Sequence, residues 1–340
     1  MKKYLFMLAI VFFSASLFAF SFPDPDAIDW NLSVEPLFGC KIGELGEYVY
    51  QQNCRYSDNK LSELNWDIKP AVYLGAKIAG GWKGIGLSTY VTGAIPKRSG
   101  IVMDSDWLNK QYANAENYLY KTNYSESDNY LESNWSWGIQ GGYTFRPWYF
   151  FECTPFVAFD IDYKAFTAKD GYFWYAKTIS GTNFYSRYDD STNNKEGAFS
   201  ENNKGYTGVD IEYNRYTYLL WIGANLHFNI PYGIGFDIGF QIAPYLYSIS
   251  RDNHVLTKSR YADIVRGSFE AYKWMAAVSY RFTKHILLSL GGEFFWAKTI
   301  QGDTYVSTND GKTYDKNSTI KGGAGEYYFD AHLSLRYIFF

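Results

Sequence analysis

The sequence lacks a mature segment that is long and apolar enough to form a membrane-spanning helix. Such a helix needs about 20 consecutive apolar residues, and the mean hydropathy of the 340-residue chain is −0.30. The sequence also has no cluster of lysine and arginine, and its formal net charge is −3. These absences argue against a helical membrane protein and against a nucleic-acid partner.

Cysteine is rare as well. The chain has three cysteines, Cys40, Cys54 and Cys153, and an odd number does not form a disulfide framework in an exported protein. Cys40 and Cys54 lie on one predicted extended segment, where a rise of about 3.3 Å per residue separates them far beyond disulfide distance. We expect three free thiols and no catalytic cysteine.

Aromatic residues and glycine are abundant instead. Aromatics make up 21% of the chain and glycine contributes 30 residues, a composition typical of an all-β protein. The N-terminus has a basic start, an apolar stretch over residues 4–13 and a cleavage neighbour at Ala19. We therefore expect a signal peptide over residues 1–20 and a single domain over residues 21–340.

The mature chain alternates between apolar and polar residues with a period of two. The pattern is clearest over 234–241, 272–282 and 330–339, where one face is apolar with aromatic ends and the other carries charges. This arrangement is typical of a strand between lipid and a polar lumen. Closing such strands into a barrel also removes the sheet edges that lipid cannot satisfy.

Ten such strands are predicted. They fall near residues 30–53, 60–78, 82–98, 132–146, 149–168, 209–229, 234–251, 267–283, 286–301 and 323–340. Short turns alternate with long polar connections over residues 99–131, 169–208, 252–266 and 302–322. The expected fold is all-β, a ten-stranded antiparallel transmembrane β-barrel of the outer membrane with short periplasmic turns and long extracellular loops.

Two polar clusters lie where a predicted strand ends and a long loop begins. Asp104 and Asp106 start the second outer loop, and Asp252 and His254 start the fourth. Glu47 lies high on the first strand. In a ten-stranded barrel, all of these side chains can face one extracellular cleft.

The two clusters contain the residue types of a site that activates water. His254 is a suitable general base because its pKa lies near neutrality, and Asp252 can fix its tautomer. Asp104 and Asp106 are two residues apart on an extended segment and point to one side. One of them can therefore hold a proton and position the water. Solvated turn residues and a calcium-tolerant loop are alternatives that these residues leave open.

Several stretches resemble a known family. Residues 101–107 (IVMDSDW) and 252–254 (DNH) resemble the acidic loop and the Asp-x-His of the omptins. Residues 46–50, 60–66 and 323–325 resemble the first strand, the second strand and the C-terminal end of that family. Omptins are outer-membrane aspartyl-type endopeptidases built as ten-stranded barrels, and the resemblance covers most of the mature chain.

The resemblance implies roles for individual residues. Asp252 and His254 would activate the water, while Asp104 and Asp106 would position it and stabilise the tetrahedral intermediate. Glu47 would lie at the floor of an acidic pocket that receives a basic side chain before the scissile bond. A cation buried there needs a carboxylate partner.

The chain departs from the family pattern at two places. Ser250 stands where omptins usually carry a second pocket acid, with Arg251 beside it, so we expect a less negative pocket and a less strict basic preference. The basic residues by which omptins hold lipopolysaccharide are not recognisable, and residues 159–163 read FDIDY instead. We expect at most a weak dependence on lipopolysaccharide and no other cofactor.

The alternation conflicts with the proposed site at one point. Asp252 and His254 continue the parity of the lipid-facing set that starts at Ile234. They can face a cleft only if a bulge intervenes, because one extra residue turns the following side chains to the other face. Pro244 and residues 248–250 are the candidate places.

These observations predict an outer-membrane endopeptidase, surrounded by outer-membrane lipids, that cleaves peptides or host proteins near basic residues outside the cell. No metal is expected, because the four histidines show no ligand spacing. One alternative is an adhesin of the same fold with altered activity. Another is a narrow pore lined by Lys273, Arg281 and Arg336, although side chains largely fill a ten-stranded barrel.

Overall fold

The structure is a computed structural model. It describes residues 30–339 apart from 113–117, 176–177, 180–182, 185–186, 190–193, 197–204 and 308–310. The predicted signal peptide lies outside the described residues. Within the described ranges, no helix is long and apolar enough to cross a membrane.

Ten long strands form one closed antiparallel sheet. Their bounds are β1 Asn31–Gln51, β2 Lys60–Trp82, β3 Ile85–Ala94 continued by Lys97–Asp106, β4 Asn123–Tyr143, β5 Phe151–Tyr175, β6 Gly205–Ile230, β7 Ile234–His254, β8 Ser259–Gly267 continued by Ala271–Arg281, β9 Ile286–Ser307 and β10 Asp315–Ile338. Each strand pairs with its neighbours in sequence, and β1 also pairs with β10, which closes the ring. The predicted ten-stranded barrel is confirmed.

The remaining elements are short. The additional strands are Phe145–Trp148, Thr178–Ile179, Asn183–Phe184, Arg187–Asp189 and Asn194–Glu196, and the 3-10 turns are Leu108–Gln111 and Pro231–Gly233. All three cysteines are free, as expected from their spacing.

The lower half of the barrel, between the chain termini and the level of Ile42, is apolar outside and charged inside. Exposed apolar side chains cover its outer face, among them Phe38, Leu74, Val278, Leu290 and Leu333. Inward side chains form ion pairs inside the lumen. Lys273 Nζ lies 3.2 Å from Asp160 Oδ2, and Arg336 Nε lies 2.9 Å from Glu35 Oε2. This is the partition expected for strands between lipid and a polar lumen.

The upper half, beyond the level of Ile42, carries apolar side chains on the inside. The buried cluster consists of Leu45, Leu64, Trp66, Ile68, Ala71, Val102, Leu131, Phe166, Ala168, Ile211 and Tyr213. Trp66 stacks on Phe166 and Tyr213, with 5.6 and 5.3 Å between ring centroids. These contacts hold the strands together beyond the lipid-facing band, because apolar burial inside the barrel replaces lipid contact outside it.

The strands extend further than the alternation predicts. β4 begins at Asn123 rather than near residue 132, β5 ends at Tyr175 rather than near residue 168, and β10 begins at Asp315 rather than near residue 323. Parts of the four segments predicted as long loops are therefore strand, and that prediction is wrong for them. The lipid-facing aromatic pattern stops at the edge of the membrane, while backbone pairing continues.

Bulges mark the border between the two halves. On β7, Ala243 and Pro244 together face the single residue Trp221 of β6. Gln241 is buried inside the barrel below this point, and Ser248 is buried inside it above. The parity of inward residues thus changes from odd to even, and the predicted bulge at Pro244 is confirmed. Further bulges lie at 69–70, 99–100 and 132.

Candidate active site

The predicted site residues lie inside the upper half of the barrel. Asp104 and Asp106 end β3, Asp252 and His254 end β7, and Glu47 lies on β1. All five belong to paired strands rather than to loops, so the sheet itself holds them in place. The lipid-facing band ends below this level, so the site lies outside the membrane.

Asp252 and His254 form an ion pair. Asp252 Oδ2 lies 2.6 Å from His254 Nε2, and the Asp252 side chain is 5% exposed. The ring of Tyr261 packs edge-on against the imidazole, with 5.7 Å between ring centroids. Burial disfavours the charged imidazole, but the carboxylates of Asp252 and Asp104 outweigh this and raise the pKa of His254 to about 10. The ion pair orients the ring and leaves Nδ1 as the nitrogen not bonded to Asp252.

Asp104 and Asp106 are two unequal carboxyls next to this ion pair. Asp106 Oδ2 accepts a hydrogen bond from Asn123 Nδ2 at 3.0 Å, and the Asp106 carboxyl also bonds the Ser62 hydroxyl. Asp104 Oδ1 is buried and has no hydrogen-bond partner among the described residues. Burial and the neighbouring Asp106 hold the pKa of Asp104 well above its ordinary value. Asp104 is therefore the carboxyl that retains a proton more readily.

An apolar floor separates this cavity from the charged lumen below. Trp66 and Tyr213 stack within it. Below them, the buried Arg215 donates to Tyr213 Oη at 2.7 Å. Its other hydrogen bonds run to the carbonyl oxygens of Gly46 and Gly325, at 2.7 and 3.1 Å. These acceptors are all neutral. The guanidinium therefore stabilises the floor through hydrogen bonds and is not bonded to a carboxylate of the described residues.

Glu47 and Ser250 line the same cavity. Glu47 is 4% exposed, and its Oε2 atom is buried without a hydrogen-bond partner among the described residues. Burial, with Asp252 and Asp263 nearby, holds the pKa of Glu47 well above its ordinary value. Ser250 is buried and shares a hydrogen bond with Tyr213. The structure thus brings both predicted pocket residues to the catalytic candidates.

Two sequence features lie away from the cavity. Arg251 is exposed on the outer face of β7, so the expectation of a less negative pocket depends on Ser250 and not on Arg251. Within residues 159–163, Asp160 faces the lumen, where Trp221 Nε1 donates to it at 2.9 Å and Lys273 Nζ at 3.2 Å. This acid is therefore part of the lumen network and not of an outer headgroup site.

One buried acid escaped the sequence-based prediction. Asp263 of β8 lies directly opposite Ser250 and is 4% exposed. Thr304 Oγ1 donates a hydrogen bond to Asp263 Oδ1 at 2.7 Å. Burial, together with Asp252, raises the pKa of Asp263 to about 6. The prediction of a loop over 252–266 concealed this residue, although the alternation within that range was the signal that could have revealed a strand.

The cavity combines an oriented histidine with carboxyls of different proton affinity. Such a set can take a proton from a bound water molecule and stabilise negative charge as it develops. Within the part of the chain that the structure describes, no group of histidine, cysteine, aspartate and glutamate is arranged to hold a metal ion. The groups that line the cavity supply acid–base chemistry.

The protein is a closed barrel with a lipid-facing band, and a buried cluster of acids and a histidine lies above that band. These features are those of an outer-membrane β-barrel protein with a site at its outward end. Within this class, the chain belongs to the omptin family, whose family model matches residues 28–339. The predicted family and the predicted location in the outer membrane are confirmed. None of the curated protein sequences matches the chain.

Solved outer-membrane barrels are similar in fold. The outer membrane protease OmpT from Escherichia coli matches with a TM-score of 0.74 at 16% sequence identity, over 93% of this chain and 100% of that chain. The outer membrane protein OprG from Pseudomonas aeruginosa matches with a TM-score of 0.38 at 6% identity, over 92% of this chain and 97% of that chain. The first match supports the fold, and the second carries no argument.

Proposed function

We propose that the chain is an outer-membrane endopeptidase that hydrolyses peptides or host proteins next to basic residues. The observation that carries the proposal is the buried Asp252–His254 ion pair beside the carboxyls of Asp104 and Asp106. Membership of the omptin family supports this activity. The similarity in fold to a protein described as an outer membrane protease is consistent with it.

In the proposed mechanism, a water molecule lies between His254 and the two carboxyls of β3. Since Nε2 of His254 is bonded to Asp252, Nδ1 takes the proton as the water oxygen attacks the scissile carbonyl carbon. Asp252 stabilises the resulting imidazolium. Collapse of the tetrahedral intermediate breaks the C–N bond, and the proton held by His254 passes to the leaving amine.

Asp104 and Asp106 have separate tasks in this mechanism. Asp104 retains a proton and donates a hydrogen bond to the carbonyl oxygen as negative charge develops there. Asp106, held by Asn123 and Ser62, accepts a hydrogen bond from the water and orients it. Two neighbouring carboxyls with different proton affinities can thus act as donor and acceptor at the same pH.

Glu47 is the proposed partner of the basic side chain that precedes the scissile bond. A buried carboxylate oxygen without a partner costs stability while the cavity is empty. A guanidinium or ammonium group of a substrate would satisfy it with a charge-assisted hydrogen bond. Ser250 contributes a neutral wall to the same pocket.

We also propose that residues 1–20 are removed on export and that residues 21–340 act as one barrel domain surrounded by outer-membrane lipids. Activity should depend only weakly on lipopolysaccharide. The acid Asp160, in the segment 159–163, is engaged in the lumen rather than at the lipid surface.

Cleavage of a quenched fluorogenic peptide with an Arg-Arg or Arg-Lys bond tests the proposed function. The refolded wild type would be compared with His254→Ala and Asp104→Ala, each with and without lipopolysaccharide. We expect cleavage by the wild type and a loss of several orders of magnitude in each variant. If a correctly folded wild type, judged by its heat-modifiable gel shift, cleaves neither this peptide nor a mixed peptide library, the proposal is wrong.

A further inference from the structure

We infer that Asp263 is the second acid of the substrate pocket, and that Glu47 and Asp263 together bind the guanidinium or ammonium group of a basic substrate side chain. The inference rests on the proposed peptidase function for the identity of the ligand. It places the second carboxylate of the pocket on β8, although the corresponding position on β7 is the neutral Ser250.

Strand pairing places Asp263 in the cavity. Asp263 is directly opposite Ser250, and residues opposite each other in an antiparallel pair project from the same face. Ser250 and Asp252 are both buried on the inner face of β7. The carboxylate of Asp263 is therefore presented to the same cavity, one strand away from Ser250.

A glycine on β10 leaves room for this carboxylate on the side of Glu47. A Cβ atom at Gly322 would lie 2.1 Å from the carboxyl carbon of Asp263, so the carboxylate occupies space that any other residue would fill. Glu47 pairs with Ala324, two residues further along the same strand. Both acids thus lie against the same part of β10, and they are near enough for Asp263 to raise the pKa of Glu47.

No cation of the described residues forms an ion pair with either acid. Glu47 Oε2 is buried without any hydrogen-bond partner within that part of the chain. Arg215, in the floor, directs its hydrogen bonds to Tyr213 and to backbone carbonyls. Arg215 favours the charged form of both acids without bonding to either, and His254 does the same for Glu47, yet burial still raises both pKa values. A cationic ligand would relieve the remaining cost of burial through charge-assisted hydrogen bonds.

The raised pKa values of the two pocket acids also favour the binding of a cation. Burial raises the pKa of Asp263 to about 6 and holds the pKa of Glu47 well above its ordinary value. A bound cation favours the charged form of both carboxyls and lowers both pKa values. Binding of a basic side chain between about pH 6 and neutrality should therefore release protons from the pocket.

A selectivity measurement tests the role of Asp263 in the active enzyme. Two peptides would differ only in the residue before the scissile bond, which is arginine in one and the neutral norleucine in the other. We expect Asp263→Asn to lower the ratio of kcat/KM for arginine over norleucine by at least about 30-fold, the effect of leaving a charge pair incomplete.

Two further variants make this measurement specific. The double variant Ser250→Asp, Asp263→Ser moves the acid across the strand pair and should recover most of the selectivity for arginine. Asp303→Asn is the matched control, because it removes a carboxylate on β9 that is exposed and bonded to Lys316. The control should leave the ratio unchanged.

A binding measurement tests the pocket independently of catalysis. N-acetylagmatine carries a guanidinium group without a scissile bond after it, and N-acetylpentylamine is its neutral counterpart. Isothermal titration of the wild-type barrel at pH 6.5, in two buffers of different ionisation enthalpy, should show binding of the cation with proton release. Asp263→Asn should weaken the binding and reduce the number of protons released, while Asp303→Asn should do neither.

The two measurements separate the possible failures. If a folded Asp263→Asn barrel keeps the wild-type selectivity, or the wild-type affinity and proton release, the inference is overturned and Asp263 is a structural acid held by Thr304. If the wild type cleaves no peptide, the proposed peptidase function fails. In that case the titration still decides whether Glu47 and Asp263 form a cation-binding pocket.

Discussion

The lower and upper halves of the barrel treat buried charge in opposite ways. In the lower half, buried carboxylates pair with cations across the lumen, as Asp160 does with Lys273 at 3.2 Å. In the upper half, oxygen atoms of Glu47, Asp104 and Asp252 are buried without hydrogen-bond partners among the described residues. A buried carboxylate that is paired with a cation is satisfied within the barrel. A buried carboxylate oxygen without a partner lowers stability and remains free to bind a substrate. Three of the buried oxygen atoms without a partner in the described part of the chain thus belong to carboxyls of the proposed site.

The two halves also differ in where their apolar side chains point. Below the bulges apolar side chains cover the outer face towards lipid, although a buried cluster around Trp221 also lies inside, and above the bulges the cluster around Trp66 faces inward. A sheet in lipid has to expose apolar groups, while a sheet in water has to bury them. One extra residue per bulge lets the same strand satisfy both surroundings.

Deleting Pro244 should have the largest effect on the difference between the two halves. Without the extra residue, Asp252 and His254 turn to the outer face of β7, so we expect no measurable peptide cleavage and a protease-sensitive upper half. Pro244→Ala is the control, since it keeps the residue count, and it should retain activity within a few-fold. Equal loss of activity in both variants would show that proline itself, and not the register, is required.

Substitution of His254 should separate catalysis from stability. His254→Ala should lower kcat/KM by roughly 1,000-fold or more, with little change in the temperature at which the barrel loses its heat-modifiable gel shift. His227→Ala removes a histidine that lies 2.8 Å from Asp237 in the lower half, and its activity should match the wild type. Similar losses of activity in both variants would indicate a general folding defect instead.

Substitution of a lumen lysine should lower stability and leave the activity nearly unchanged. Lys273→Met leaves the buried Asp160 unpaired and should lower the free energy of unfolding by about 3–5 kcal/mol, while kcat/KM of the folded protein stays near wild type. Urea unfolding followed by tryptophan fluorescence measures this. Lys316→Met breaks an exposed pair with Asp303 and should leave the free energy of unfolding nearly unchanged, because solvent screens the pair. Equal costs would contradict a special role for buried pairing.

Neutralising the partner of the histidine should give a pH-dependent effect. Burial lowers the pKa of His254, but the carboxylates of Asp252, Asp104 and Glu47 together raise it to about 10. The reaction needs neutral imidazole, so the fraction of enzyme with a usable base rises with pH through this pKa. Asp252→Asn lowers the pKa, and the ascending limb of the kcat/KM profile should therefore move to lower pH by at least about one unit. A limb that does not move would mean that His254 is not the titrating base.

Most of the lower half could be predicted from the alternation, because lipid and lumen together impose a period of two on every strand. The upper ends of β4, β5 and β10 could not be predicted, since the lipid-facing signal is absent there. Among the site residues, Asp104 and His254 stand in recognisable local motifs, and their catalytic roles stay predictions. The parity conflict on β7 was enough to predict a bulge, but it left two candidate places, Pro244 and residues 248–250, and the structure has the bulge at Pro244.

Local patterns in the chain were thus sufficient for the barrel, its membrane band and the two acidic motifs, because each depends on residues that are close in sequence. The shared cavity of Glu47, Asp252 and Asp263 depends on something else. These residues come from β1, β7 and β8, and closure of the sheet is what joins them. The raised pKa values of Glu47 and Asp263 follow from burial above the Trp66 floor, and burial is a property of the closed sheet rather than of any one strand.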